Sequence, residues 1–137
     1  MIVLKNIVEN KRVIICLLII YAVVILSETL FFRKPFDGEH LQLELFWSYK
    51  VIDVQFKQML ANVLMFIPFG LLLSLLDKRV WMVLLSGFLF SCLVEILQLI
   101  LKVGLCELDD VFHNTLGTVI GLLIGKWIIR KSIKSKV

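Results

Sequence analysis

The residues best placed to do chemistry are carboxylates and carboxamides set inside apolar sequence. Glu95 and Gln98 interrupt the run VEILQLIL, and Asp109, Asp110, His113 and Asn114 open the run that continues to Gly125. Glu28 and Asn62 stand in two further apolar stretches. Carboxylates in low-dielectric surroundings can divide acid and base roles if their environments push their protonation apart. The same groups can instead bind a polar ligand head. Glu95 and Asp110 are the catalytic candidates. Glu28, Asn62, Glu95, Gln98, Asp109, Asp110 and Asn114 are the ligand-binding candidates. Helical spacing groups them: Glu95 and Gln98 are i, i+3, and Asp110, His113, Asn114 and Gly117 fall at i, i+3, i+4 and i+7, each set on one face.

Each residue also has a structural reading. Glu28 lies near a span end, where headgroups would solvate it. Asn62 could tie two helices together. Asp109 fits a helix N-cap, Glu107 a solvated turn charge, and His113 a packed or interfacial ring. Glu95 is different, because an ionisable group well inside an apolar run normally faces protein or a water-filled cavity. Gly117, Gly121 and Gly125 form a small-residue ladder that lets helix backbones approach, against the second or third span.

The elements that must position these groups are membrane helices. The chain has 137 residues, 60% of them hydrophobic, and a mean hydropathy of +0.96. At about 20 residues per crossing, the apolar runs predict four spans near 13–32, 58–76, 80–101 and 111–129. The expectation is an all-α integral membrane four-helix bundle forming a single domain over 1–137. Pro68 should kink the second span. The far end of the first run, SETLFFRKP, lacks a small-x-small cleavage pattern, which favours a retained span. Between the first and second spans, Leu41, Leu43, Leu45, Trp47, Tyr49 and Val51 alternate with mostly polar neighbours. That period predicts an extended interfacial strip, with a short helix in its second half as the alternative.

The net charge of +4 comes from basic residues at the ends of apolar runs, which points to lipid headgroups and not nucleic acid. Lys5, Lys11, Arg12, Lys78, Arg79, Lys126, Arg130, Lys131, Lys134 and Lys136 fall on the side of the termini; Arg33, Lys34, Lys50, Lys57 and Lys102 fall on the other. The imbalance predicts cytoplasmic termini. With that topology all four spans bring polar groups to the outer level, which predicts an outward-facing polar pocket.

No Ser-His-Asp order, H-E-x-x-H or P-loop is present. The three cysteines form no C-x-x-C pair, so no cofactor or metal is called for; a divalent cation on Glu95, Asp109, Asp110 and Asn114 is the less favoured alternative. Four spans without an evident inverted repeat argue against a lone transporter.

Three patterns occur in order: Asn62, Phe66, Pro68, Phe69 and Gly70; then Glu95 and Gln98; then Asp109, Asp110, Asn114, Thr115 and Gly117. Together they resemble the VanZ-like family of small bacterial membrane proteins, over about Gln58 to Gly125. The strip around Trp47-Ser48-Tyr49 is similar to the family segment before the second span. Many members carry an arginine between the Gln and Asp motifs, where this chain has Lys102-Val103-Gly104-Leu105. The resemblance implies a bacterial inner-membrane protein and a link to teicoplanin-type glycopeptide tolerance. Two functions are then expected to compete. One is binding of a membrane lipid or lipid-linked cell-wall precursor at the outer leaflet. The other is an intramembrane carboxylate-dependent hydrolase or transferase acting on such a precursor. Helix-mediated homo-oligomers are compatible with both.

Overall fold

A computed structural model describes residues 10–33, 38, 40–76 and 79–134. Lys34 and Lys78, counted above for orientation, lie outside the described residues. Four helices are long and apolar enough to cross a membrane. Helix α1 (Lys11–Leu26) runs on through a π turn (Ser27–Phe31), α2 is Ile52–Leu75, α3 is Val80–Leu101 and α4 is Leu108–Lys134. Most large apolar side chains on these helices are exposed, Ile19, Ile20, Leu64, Ile100 and Leu123 among them. That is the surface of a bundle solvated by acyl chains. The chain is a multi-pass membrane protein.

Packing explains why the helices pair as they do. Helices α2 and α4 form the closest pair, and the glycine ladder is the reason. A Cβ on Gly117 would lie 2.2 Å from the Val63 carbonyl oxygen, and one on Gly121 would lie 2.0 Å from that of Ile67. Backbone meets backbone there, as small-residue steps permit. Thr118 fixes the third helix: it seats against Gly70 of α2 and Gly87 of α3, while its hydroxyl donates back to the Asn114 carbonyl at 3.1 Å. An aromatic cluster fills the middle, with Phe69 stacked on Phe90 at 4.8 Å and Phe66 edge-on to Phe69. Helix α2 stays continuous through Pro68. Three residues earlier, the Met65 carbonyl takes a 2.9 Å hydrogen bond from the Tyr21 hydroxyl, joining α1 to the bundle.

The segment before α2 departs from the extended expectation. Among its described residues Leu41–Gln42 (β1) alone is a strand, paired in parallel with Cys106–Glu107 (β2). A 3-10 turn (Trp47–Val51) then leads directly into α2. The second apolar helix therefore begins at Trp47 rather than near Gln58. Alternating apolar residues satisfied a period of two over Leu41–Val51. From Trp47 onward they also satisfy a helix with one face on the bundle, and the buried Ser48 decides for the helix.

Candidate functional site

One end of the bundle gathers the polar side chains: the end of α1, the starts of α2 and α4, and the end of α3. Each helix terminus leaves backbone groups without intrahelical partners, and the sequence supplies side chains to meet them. The π turn leaves the Thr29 carbonyl free to accept from Gln98 Nε2 at 3.2 Å. Gln98 is fully buried, and its Oε1 receives Arg33 Nη1 at 3.5 Å. After α3, Lys102 adopts a left-handed conformation and Gly104 has φ 77°. The Arg33 side chain lies across Gly104, where an added Cβ would meet its Cδ at 3.1 Å. Arg33 Nη2 then reaches Asp110 at 3.5 Å.

Glu95 is buried and faces protein rather than lipid. Its Oε2 accepts the backbone N–H of Glu107 at 3.0 Å, so a carboxylate of α3 holds the turn before α4. It also lies within electrostatic reach of Asp110 and Arg33. Asp110 is buried as well and takes Gln58 Nε2 at 3.0 Å. Asn62, one turn below Gln58, is buried with its amide directed at the Asp110 carboxyl, although its Nδ2 forms no well-shaped hydrogen bond among the described residues. Asn114 donates from Nδ2 to Ser91 Oγ at 2.8 Å, and its Oδ1 is likewise without a partner. Buried polar atoms of this kind are costly unless water or a ligand meets them.

Several sequence expectations need correction. Glu28 is exposed and does not join the cluster; near the end of its span it has the bilayer surface to solvate it. Asp109 is not an N-cap, and neither it nor Asn62, Glu95, Gln98, Asp110 or Asn114 is among the residues lining the cavity described below. Asp109 sits inside the first turn of α4, fully buried, and accepts from the Phe46 and Ser48 backbone N–H groups and the Ser48 hydroxyl. It thus caps a different segment, some sixty residues earlier in the chain. Phe46 is held with φ 64°, and its ring packs edge-on against Tyr49 and Phe112. His113 is buried, with Nε2 at 3.0 Å from the Tyr49 hydroxyl. Asp109 is spent on Phe46 and Ser48, and among the described residues no three His, Cys, Asp or Glu side chains are grouped to hold a metal ion, so Glu95, Asp109, Asp110 and Asn114 are not gathered as one donor set.

Glu107 is the largest correction. Expected as a solvated turn charge, it is 3% exposed. Trp47 Nε1 donates to its Oε2 at 3.2 Å and Gln58 Nε2 to its Oε1 at 3.4 Å. Burial pushes its carboxyl up to about 7, and the negative charge of Asp110 adds to that. The hydrogen bonds from Trp47 and Gln58 and the Arg33 charge pull the other way. Above this level lies an open cavity of about 510 Å³, lined by Arg33, Trp47, Gln55, Gln58, Gly104, Leu105 and Glu107. Arg33, Gln55, Gln58 and Glu107 escaped the sequence reading. One signal could have found part of the set: Trp47, Val51, Gln55, Gln58 and Asn62 follow one another at steps of four and three, a single helical face.

The sequence profile of the VanZ/LLP1 family matches residues 13–130. A curated relative, "Protein VanZ" of Enterococcus faecium, is 39% identical over 69 residues, covering 49% of this chain and 43% of that protein. The chain thus matches less than half the length of that relative. No solved structure matches. The family match runs from the first membrane helix to the last and takes in every residue of the polar end: the chain belongs to the VanZ/LLP1 family.

Proposed function

We propose that the cavity at the polar end faces outward in the bacterial cytoplasmic membrane and binds the polar head of a lipid-linked or amphiphilic cell-envelope molecule. Through such binding the protein would contribute to tolerance of teicoplanin-type glycopeptides. The observation that carries this reading is the composition of the cavity wall. Arg33, Trp47, Gln55 and Gln58 bring donors to it, those of Trp47 and Gln58 resting on Glu107. The flanking residues Phe31, Phe32, Val54 and Phe56 are exposed and apolar, as acyl chains beside a headgroup site require. The antibiotic part of the proposal rests on family membership, and the outward orientation on the excess of basic residues at the other end.

Purified protein in nanodiscs should show saturable binding of lipid-linked cell-wall precursors. Gln58→Leu should weaken it about tenfold, the equivalent of one lost hydrogen bond of ~1–1.5 kcal/mol. A complete lack of saturable binding to any amphiphile would remove the proposal. Orientation has its own measurement. In a chain with Cys16, Cys92 and Cys106 changed to serine, Gly38→Cys should react with a membrane-impermeant maleimide in intact cells. Gly38 is exposed beyond the end of α1, so labelling seen only after lysis would reverse the topology.

A second reading is favoured by one observation: Glu95 and Asp110 are both buried and in electrostatic contact. Two such carboxylates suit acid–base work on a bound precursor. Product release by the unmodified protein, abolished in both Glu95→Gln and Asp110→Asn, would establish the hydrolase or transferase; binding without product at any time would exclude it.

A further inference from the structure

We infer that the cavity is an oxyanion site held shut by the chain's own carboxylate: Glu107 occupies the donors that would take a phosphate-bearing headgroup, and releases them on taking up a proton. This deepens the proposed function and rests on its reading of the cavity as a ligand pocket. The geometry is that of an internal ligand. Both oxygens of Glu107 are engaged, one by the Trp47 indole N–H and one by the Gln58 amide. Arg33 and Gln55 line the same cavity and add further donors. A donor set that satisfies a buried carboxylate also satisfies a tetrahedral oxyanion.

Arg33 is available for the exchange. Its contacts to Asp110 and Gln98 are both long, at 3.5 Å, and its side chain is 23% exposed. Gly104 beneath it presents no side chain to block a swing into the cavity.

The charged and titratable groups around Glu107 set the direction of the proton effect. Arg33 faces it from the end of α1, Glu95 from α3 and Asp110 from α4. The Cys106 thiol beside it is pushed up to about 11, chiefly by burial, and stays neutral at ordinary pH. On the β1 side, the His40 ring bonds the Gly104 carbonyl. Helix α2 contributes the neutral Gln58. Burial and then the charge of Asp110 outweigh the Trp47 and Gln58 hydrogen bonds and the Arg33 guanidinium, and so push the carboxyl up to about 7. Below that pH, Glu107 is neutral, its charge-assisted hold on the Trp47 and Gln58 donors is lost, and an entering anion meets one negative charge fewer. Above it, Glu107 keeps its donors and repels the anion. Oxyanion affinity should therefore fall as pH rises, by about tenfold between pH 6 and 8 if only the protonated form is competent.

The test uses full-length protein in nanodiscs and probes whose charge is fixed over that range: sulfate, short-chain phosphatidylglycerol and short-chain phosphatidylcholine. Phosphatidylglycerol is expected to bind about tenfold more tightly at pH 6 than at pH 8. Glu107→Gln should flatten the profile, giving one affinity at pH 6 and pH 8, and Arg33→Gln should weaken binding at both pH values. Sulfate competing with phosphatidylglycerol identifies the oxyanion as the recognised group. If sulfate alone binds, the source is a free anion, and the oxyanion site stands while the amphiphile reading falls. Phosphatidylcholine binding equally well, with no dependence on pH or Arg33, would overturn the inference yet keep the amphiphile pocket. A pH dependence that survives Glu107→Gln would assign the gate to another group and overturn it as well.

Discussion

Asp109→Ala is expected to detach the segment from His40 to Val51 from the bundle and to lower the unfolding free energy by ~3–5 kcal/mol. Three donors converge on that one buried side chain: two backbone N–H groups and a hydroxyl. Hydrogen bonds to a carboxylate contribute ~1.5–3 kcal/mol each, and the total is reduced by whatever relaxation lets water reach the freed amides. The segment has few other ties. Those among the described residues include the two-residue pairing of β1 with β2, the His40 ring on the Gly104 carbonyl, the Phe46–Phe112 and Tyr49–His113 contacts and the Trp47–Glu107 bond; the exposed Lys50–Glu44 ion pair lies within the segment and does not anchor it. Hydrogen exchange should show the Phe46 and Ser48 amides losing protection, and trypsin should begin to cut after the exposed Lys50. The cavity wall includes Trp47, so ligand binding should be lost together with protection. Unchanged exchange at both amides would mean that Asp109 does not hold the segment.

Gly121→Val is expected to separate α2 from α4 and to cost about 3 kcal/mol or more, at the upper end for overpacking. The first added carbon would stand 2.0 Å from the Ile67 carbonyl oxygen and 2.6 Å from the Leu71 nitrogen. Both are backbone atoms of a membrane helix, which no rotamer change can move aside. The damage should spread to the polar end, because Gln58 and Asp110 meet only while α2 and α4 stay in register. Leu123→Ala is the control: this lipid-facing side chain is 64% exposed, and its loss should leave stability nearly unchanged. Unfolding in mixed micelles measures both variants. Equal stability of Gly121→Val and Leu123→Ala would contradict the close α2–α4 packing.

The sequence by itself determined the four spanning helices, because a long apolar run in lipid has to satisfy its own backbone, and the helix does so locally. It determined the glycine ladder and its role, since a four-residue step places three glycines on one face whatever lies opposite. It also determined that Glu95, Gln98 and Asp110 meet at one end, because antiparallel connection fixes the level of each residue along the bundle. Only the tertiary structure decided which polar residues are buried. Glu107, Asp109 and Glu28 all look alike at a span end, yet two are covered by a segment some sixty residues away in sequence and one is left at the surface. Arg33, Gln55 and Gln58 had the same ambiguity. Whether a hydrophilic side chain near the membrane boundary finds water, headgroups or a partner depends on what folds over it, and that covering segment is placed by contacts between residues far apart in the chain.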